Sequence, residues 1–283
     1  WTGVAAVYTN NRSYAFGIGQ QNYWDDDTWR FNGLAGYVDF KLDLSDPADG
    51  SDATTDWLVD GYFVQGALSR RIGGNWYLGL EGRYLDINQD LAFGPEAPDY
   101  GLGTSIQSIG AGPLLEFDTR DVPTNAFKGQ RFETKGIFSS TSGDESSDYQ
   151  SYFARYRLYH QMADALVIAF DINGCLKSGD IPLWDTCRLT LRGFPATDYL
   201  GDKSVAGQVE ARWRAWKKLG FVAFAGAGYV DRSFSDNFTS ERVPSYGAGI
   251  RYMVLESKRV NLRIDYARSD DDDAWYLSVG EAF

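Results

Sequence analysis

Between Gln208 and Ala215 the side chains alternate without a break. Gln208, Glu210, Arg212 and Arg214 fall on one side of an extended chain, and Val209, Ala211, Trp213 and Ala215 on the other. A period of two is the geometry of a β-strand, in which successive Cβ atoms point to opposite faces. The same pattern sets Asn261, Arg263 and Asp265 against Leu262, Ile264 and Tyr266. Segments of this kind recur at 2–9, 13–24, 29–43, 60–72, 75–89, 104–119, 129–139, 149–160, 164–175, 203–217, 220–231, 245–255, 259–268 and 274–283, fourteen in all. The chain is therefore expected to be all-β and antiparallel. No linker, Pro/Ser-rich tract or run of six like charges interrupts it, so residues 1–283 read as one domain.

Alternation alone does not say which side is the inside, because a soluble sandwich and a membrane barrel share the period. A helical span would need roughly 18 consecutive apolar residues, and the sequence has no such run. Mean hydropathy of −0.36 would ordinarily mean a water-soluble chain. A membrane barrel escapes that rule, since only every second residue meets lipid.

Three features favour the barrel. The apolar phase carries aromatics near strand ends (Trp29, Trp57, Trp76, Trp213, Trp275 and Tyr266), as interfacial girdles require. The connections alternate in length: "IGGN", "MAD" and "ESKR" are tight, whereas 44–59, 90–103, 176–202 and 231–244 are long and polar. Short turns on one rim and long loops on the other are the two ends of an outer-membrane barrel. The chain closes on "WYLSVGEAF", an alternating strand ending on an aromatic residue, as bacterial outer-membrane proteins do. The expected fold is thus a transmembrane antiparallel β-barrel of about fourteen strands, with 12 or 16 as alternatives, in the bacterial outer membrane. The chain begins inside a strand with no leader pattern, so a signal peptide is expected to have been removed.

Charge and composition narrow the function. A net charge of −12 and a pI near 4.6 argue against nucleic acid, which needs a basic footprint. Outer-membrane lipid and lipopolysaccharide are the expected surroundings. Enzymatic readings find little support: there is no Gly-x-Ser-x-Gly elbow, and His160, the single histidine, lies on the apolar phase with Tyr156 and Leu158. No catalytic residue, metal set or cofactor is expected. The acidic runs at 270–273 and 46–52 resemble loose cation ligands, but as loop tips they read as solvated surface. Cys175 and Cys187 flank "LKSGDIPLWDT". Such a pair reads as a disulfide closing a loop in an oxidising compartment, with two free thiols as the alternative.

Several motifs carry a resemblance. "LRGF" (Leu191 to Phe194) followed by "QVEARW" (Gln208 to Trp213) resembles the Arg-Gly-Phe/Tyr loop and next strand of the BamA/TamA superfamily, whose barrel is the bacterial surface-antigen domain. "GAGPLLEFDTRDVPTNAFKGQRFE" is similar to that family's strand-turn-strand, with Asp118, Arg120, Asp121, Pro123 and Gly129 in place, and "YGAGIRY" and "LRIDYA" resemble its penultimate strands. The resemblance covers the chain, with motifs from about 103 onward.

It implies that the long loop folds back into the lumen, with Arg192, Gly193 and Phe194 at its tip. It also implies that Arg192 is held by acidic groups on the inner wall. Alternation turns Glu210 inward, which makes it the first candidate partner, since a guanidinium in such a place needs a carboxylate. The alternatives remain an ordinary loop arginine and, for Asp118, Arg120 and Asp121, a solvated turn with a local Asp–Arg pair.

Two departures stand out. "FAGAG" (Phe224 to Gly228) has Gly226 where the family places an Asp, which leaves the arginine lock short of a carboxylate. No helix-strand module of the kind the family carries ahead of its barrel occurs in the sequence, and the strand count is about two below the family's sixteen. The resemblance implies a barrel that inserts or translocates client outer-membrane or secreted proteins through a laterally opening seam. A passive pore or structural barrel, and the secretion barrel of a larger patatin-like protein, are the alternatives.

Overall fold

The structure, a computed structural model, describes residues 2–8, 13–44, 55–93, 103–144, 146–194, 199–231, 241–269 and 273–283. The strands in chain order are β1 (Thr2–Tyr8), β2 (Tyr14–Trp24), β3 (Trp29–Leu44), β4 (Thr55–Gly73), β5 (Trp76–Phe93), β6 (Thr104–Asp118), β7 (Gly129–Gly143), β8 (Asp148–Ala163) and β9 (Leu166–Gly179). They continue with β10 (Cys187–Arg188), β11 (Leu200–Gly201), β12 (Lys203–Trp213), β13 (Leu219–Asp231), β14 (Glu241–Leu255), β15 (Val260–Arg268) and β16 (Asp273–Val279). All but β10 and β11 form one antiparallel sheet of 14 strands in sequence order, with β1 at one end of that order and β16 at the other. The expected count of fourteen is therefore the observed one. The alternation of short turns and long connections is what lets each strand pair with its chain neighbours.

The two faces of this sheet decide between sandwich and barrel. On one face polar side chains are buried: Ser108, Glu116, Ser151, Asp171, Glu210, Arg251 and Asp265 among them. On the other, large apolar side chains are exposed, Leu80 at 68% and Leu277 at 72%. A soluble sandwich has the opposite polarity, because its buried face must be dry and apolar. An apolar exterior around a polar interior is the arrangement of a strand-built membrane protein. No helix among the described residues is long and apolar enough to cross a membrane.

Contacts divide the chain into two compact units. One comprises Trp1–Leu115, Lys135–Tyr152 and Lys177–Thr186; the other comprises Glu116–Thr134, Phe153–Leu176 and Cys187–Phe283. In the first, Trp184 packs with Val59, Ile87 and Ile106. In the second, Leu189, Phe194 and Tyr199 pack with Ala206, Val230 and Val243.

Strand ends differ from the expected ones in an informative way. β4 and β5 run past the expected 60–72 and 75–89, to Thr55 and Phe93. Approaching these ends the outward positions Asp60, Asp86, Asn88 and Asp90 are polar while Val59 and Ile87 are buried on the other face, so the phase of the alternation reverses while the hydrogen-bonded ladder continues. The change falls just beyond a row of outward tyrosines in which Tyr37 meets Tyr14 and Tyr62 at centroid distances of 6.0 and 4.8 Å. A tyrosine row of that kind marks where apolar surroundings give way to polar ones. β14 likewise begins at Glu241 rather than 245, and β12 ends at Trp213 rather than 217. The last strand ends at Val279, not 283. Gly280 takes φ +100°, a left-handed value that suits glycine, and the chain leaves the ladder. Of the features read from the sequence, the acidic positions 46–52 and 270–272 and the side chain of Trp57 lie outside the described residues.

Candidate functional site: the fastened loop between β9 and β12

The connection from Gly179 to Lys203 is long, yet much of its described part, including Trp184, Cys187, Leu189 and Arg192 to Phe194, is buried, and it is held at several points. Cys175 on β9 and Cys187 at the start of β10 are disulfide-bonded with Cα atoms 5.8 Å apart, and no described cysteine is free. β10 then pairs with β11, Cys187 opposite Gly201 and Arg188 opposite Leu200. This two-stranded ribbon carries Arg192, Gly193 and Phe194 at its tip, and no sequence signal announced it, since a two-residue pairing is too short to show a period.

Arg192 is buried on the polar face. Its Nη2 lies 2.6 Å from Glu210 Oε2 and its Nη1 2.8 Å from Asp265 Oδ2. Nε and Nη2 donate to Gln208 Oε1 at 3.1 and 2.6 Å. The guanidinium carbon stands 3.4 Å from the centroid of the Phe224 ring, a cation–π contact. Its carbonyl accepts a hydrogen bond from Ser245 Oγ.

Gly193 takes φ +98°, and a Cβ there would meet the Arg268 backbone at 3.2 Å; its N–H donates to Tyr276 Oη at 2.8 Å. The position thus requires glycine both for its dihedral and for its closeness to β15. Phe194 meets the edge of Tyr199 at 5.0 Å in the apolar cluster beside the lock.

The carboxylates that take Arg192 are shared. Glu210 also accepts from Arg212 Nε at 2.7 Å, and Asp265 from Arg251 Nη1 at 2.5 Å. Arg251 in turn donates to Glu281 at 2.7 Å, and Asn261 to Glu281 at 2.5 Å. Arg212 Nη2 donates to the Phe283 carbonyl at 2.8 Å. Each buried cation therefore faces a buried anion, the condition under which ion pairs away from water hold.

The absence of an Asp at 226 is met by Asp265 from β15 and by Gln208, which pairs with Gly226 in register. Gly226 itself sits against Leu191, and a Cβ there would come within 2.6 Å of the Gly207 carbonyl. Asp265 and Gln208 were on the charged phase of their strands, and that was the available signal. Pairing across 73 residues of sequence was not readable from it.

A second anchor, unforeseen in the sequence, has the opposite charge. Asp185, on the short 3-10 turn Leu183–Asp185, accepts from Arg83 Nη2, Tyr149 Oη and Lys177 Nζ, each at 2.6 Å. Burial pushes its carboxyl up, but the Lys177 ammonium and the Arg83 guanidinium outweigh this and hold it below the usual carboxylate value.

The strand-turn motif is structural in its geometry. Asp118 and Arg120 pair at 2.8 Å with side chains 6% and 7% exposed, so the local pair is present but not solvated. Arg120 Nη1 also reaches the Pro123 carbonyl at 3.0 Å. Asp121 accepts from the backbone N–H of Phe127 at 2.9 Å and from Arg259 Nη1 at 2.6 Å. Thr124 donates to the Lys258 carbonyl, and Arg259 lies over the Phe127 ring at 4.1 Å. The loop from β6 to β7 is thereby strapped to the turn from β14 to β15. Gly129 takes φ +99°, with the Thr119 carbonyl crowding the place where a Cβ would sit. His160 is exposed on the apolar face. No group of three metal-ligating side chains converges among the described residues.

No protein-family model and no curated protein sequence matches the chain. Among solved structures, BamA from Haemophilus ducreyi lacking POTRA domains 1–3 matches with a TM-score of 0.62 at 12% identity, over 96% of this chain. CdiB from Acinetobacter baumannii matches with a TM-score of 0.63 at 14% identity, over 95% of this chain. This chain spans 62% of the BamA structure and 50% of the CdiB structure. The chain shares its fold with these two structures.

Proposed function

We propose that this chain, built on the fold of BamA and CdiB, is a bacterial outer-membrane barrel of the assembly or translocation type. It handles client outer-membrane or secreted proteins at the edge presented by its first and last strands, with outer-membrane lipid and lipopolysaccharide as its surroundings. The observation that carries the reading is the loop tip: Arg192 fixed by Glu210, Asp265 and Gln208 on the polar face. A passive pore needs no such fastening, whereas a barrel whose edge opens needs an interior that stays in place while the edge moves.

The edge supports the same reading. β1 and β16 have 7 residues each, fewer than any other strand of the sheet. Short edge strands offer few ladder bonds, and a strand with a free side templates an incoming strand by main-chain pairing.

Photo-crosslinkers placed at Val4 and Leu277 in growing cells test the proposal. Adducts with nascent outer-membrane proteins are expected, and a cysteine pair joining β1 to β16 should stop assembly while the protein still shows heat-shifted mobility on gels. Absence of adducts, with full activity in the joined barrel, would leave the passive pore as the better description.

A further inference from the structure

We infer that the hairpin turn from Arg212 to Phe221 is a seat for the phosphate headgroup of an anionic phospholipid. The inference rests on the membrane reading above. On the outward side, Trp213 and Trp216 are 53% and 63% exposed. Both contact Phe221, at centroid distances of 6.0 and 6.3 Å, so the three rings make one apolar surface at the end of the hairpin. Aromatic rings of this kind settle where acyl chains give way to headgroups.

Cations adjoin the rings in sequence. Arg214, on the polar phase, donates to the Asp164 carbonyl at 2.8 Å and lies over the Phe127 ring at 5.7 Å, which leaves the lysines as the cations on the exposed turn. Lys217 is exposed, and Lys218 makes a loose contact with Glu256 at 3.5 Å, the two side chains 51% and 65% exposed. Behind the rings these cations reach a cavity of about 50 Å³ whose wall also includes Arg212, Arg251 and Glu281 of the polar face, so the lipid seat is the outer, exposed side of the turn.

The concentration of positive charge is local. The chain as a whole carries −12, and the β2–β3 turn holds Asp25, Asp26 and Asp27. A phosphate oxygen suits the lysine ammonium groups, while the acyl chains of the same lipid lie against the tryptophans. Each basic residue near an anionic lipid surface strengthens binding roughly five-fold, so two lysines together account for roughly 25-fold.

The test uses the full chain folded in detergent micelles with equimolar phosphatidylglycerol and phosphatidylethanolamine, the retained lipid being read by native mass spectrometry. Wild type should retain phosphatidylglycerol preferentially, and K217Q/K218Q should lose roughly 25-fold of that preference. K203Q, at the far end of the same strand, should keep it.

Equal retention of the two lipids, an equal loss in K203Q, or complete displacement by inorganic phosphate would overturn the seat. Folding is read separately, as heat-shifted mobility after insertion into vesicles of phosphatidylethanolamine with phosphatidylcholine. Failure to fold there would count against the membrane reading itself, and a folded protein without lipid preference would count against the headgroup seat alone.

Discussion

The β9–β12 connection is fastened twice, with opposite polarity. Asp185 is an anion offered by the connection to Lys177, Arg83 and Tyr149; Arg192 is a cation offered by it to Glu210, Asp265 and Gln208. The first fastening is damp, with Arg83 and Asp185 side chains 13% and 16% exposed, and the second is dry, with Glu210 and Asp265 fully buried. The drier a charge pair, the larger the penalty for removing one member, because the partner is left without water or counter-charge. The two ends of one segment should therefore respond unequally to equivalent substitutions.

Arg192→Ala should give the largest effect, about 3–5 kcal/mol of lost stability in urea unfolding from lipid vesicles. A loss under about 1 kcal/mol would mean that Arg212 and Arg251 already satisfy Glu210 and Asp265. Replacing Cys175 and Cys187 by Ser opens the covalent tie between the two fastenings and should cost about 3 kcal/mol in the chain-entropy description. Arg192 should still protect the loop tip from protease in that variant; cleavage near the tip would show that the disulfide, not the ion pair, sets its position.

Asp185→Asn should cost about 1–3 kcal/mol, less than the loss at Arg192. It also carries a pH signature. Because the folded carboxyl sits below its ordinary value, its contribution is complete above the ordinary aspartate range and fades as the pH falls through the lowered folded value. Acid should thus loosen the Asp185 end, and D185N should remove that part of the acid dependence when stability is followed as a function of pH. The smallest effect is expected at the exposed Asp121–Arg259 strap. Asp121→Asn should change stability by less than about 1 kcal/mol, and a larger loss would mean the strap bears on the sheet beneath it.

Much of this was legible in the sequence, for a physical reason. Period-two alternation is local, so all fourteen sheet strands and the inward phase of Glu210 could be read from short windows. Pairings over distance could not. Arg83 and Asp185 are 102 residues apart, and nothing near "LWDT" indicates that a buried guanidinium waits for the aspartate. The β4 and β5 extensions were hidden because beyond the tyrosine row polar residues face outward and Val59 and Ile87 face inward, so the alternation changes phase and the window that fitted the strand no longer fits. The end of β16 was hidden by one glycine, whose left-handed turn sends Glu281 to Arg251.

Whether buried charge holds the loop tip is read most directly by a double-mutant cycle between Arg192 and Glu210, using Arg192→Gln and Glu210→Gln, beside a matched cycle on Arg83→Gln and Asp185→Asn. The expected coupling at Arg192–Glu210 is about 2–3 kcal/mol, and the Arg83–Asp185 coupling should be smaller. Additive losses at Arg192 and Glu210, with no coupling between them, would contradict the lock.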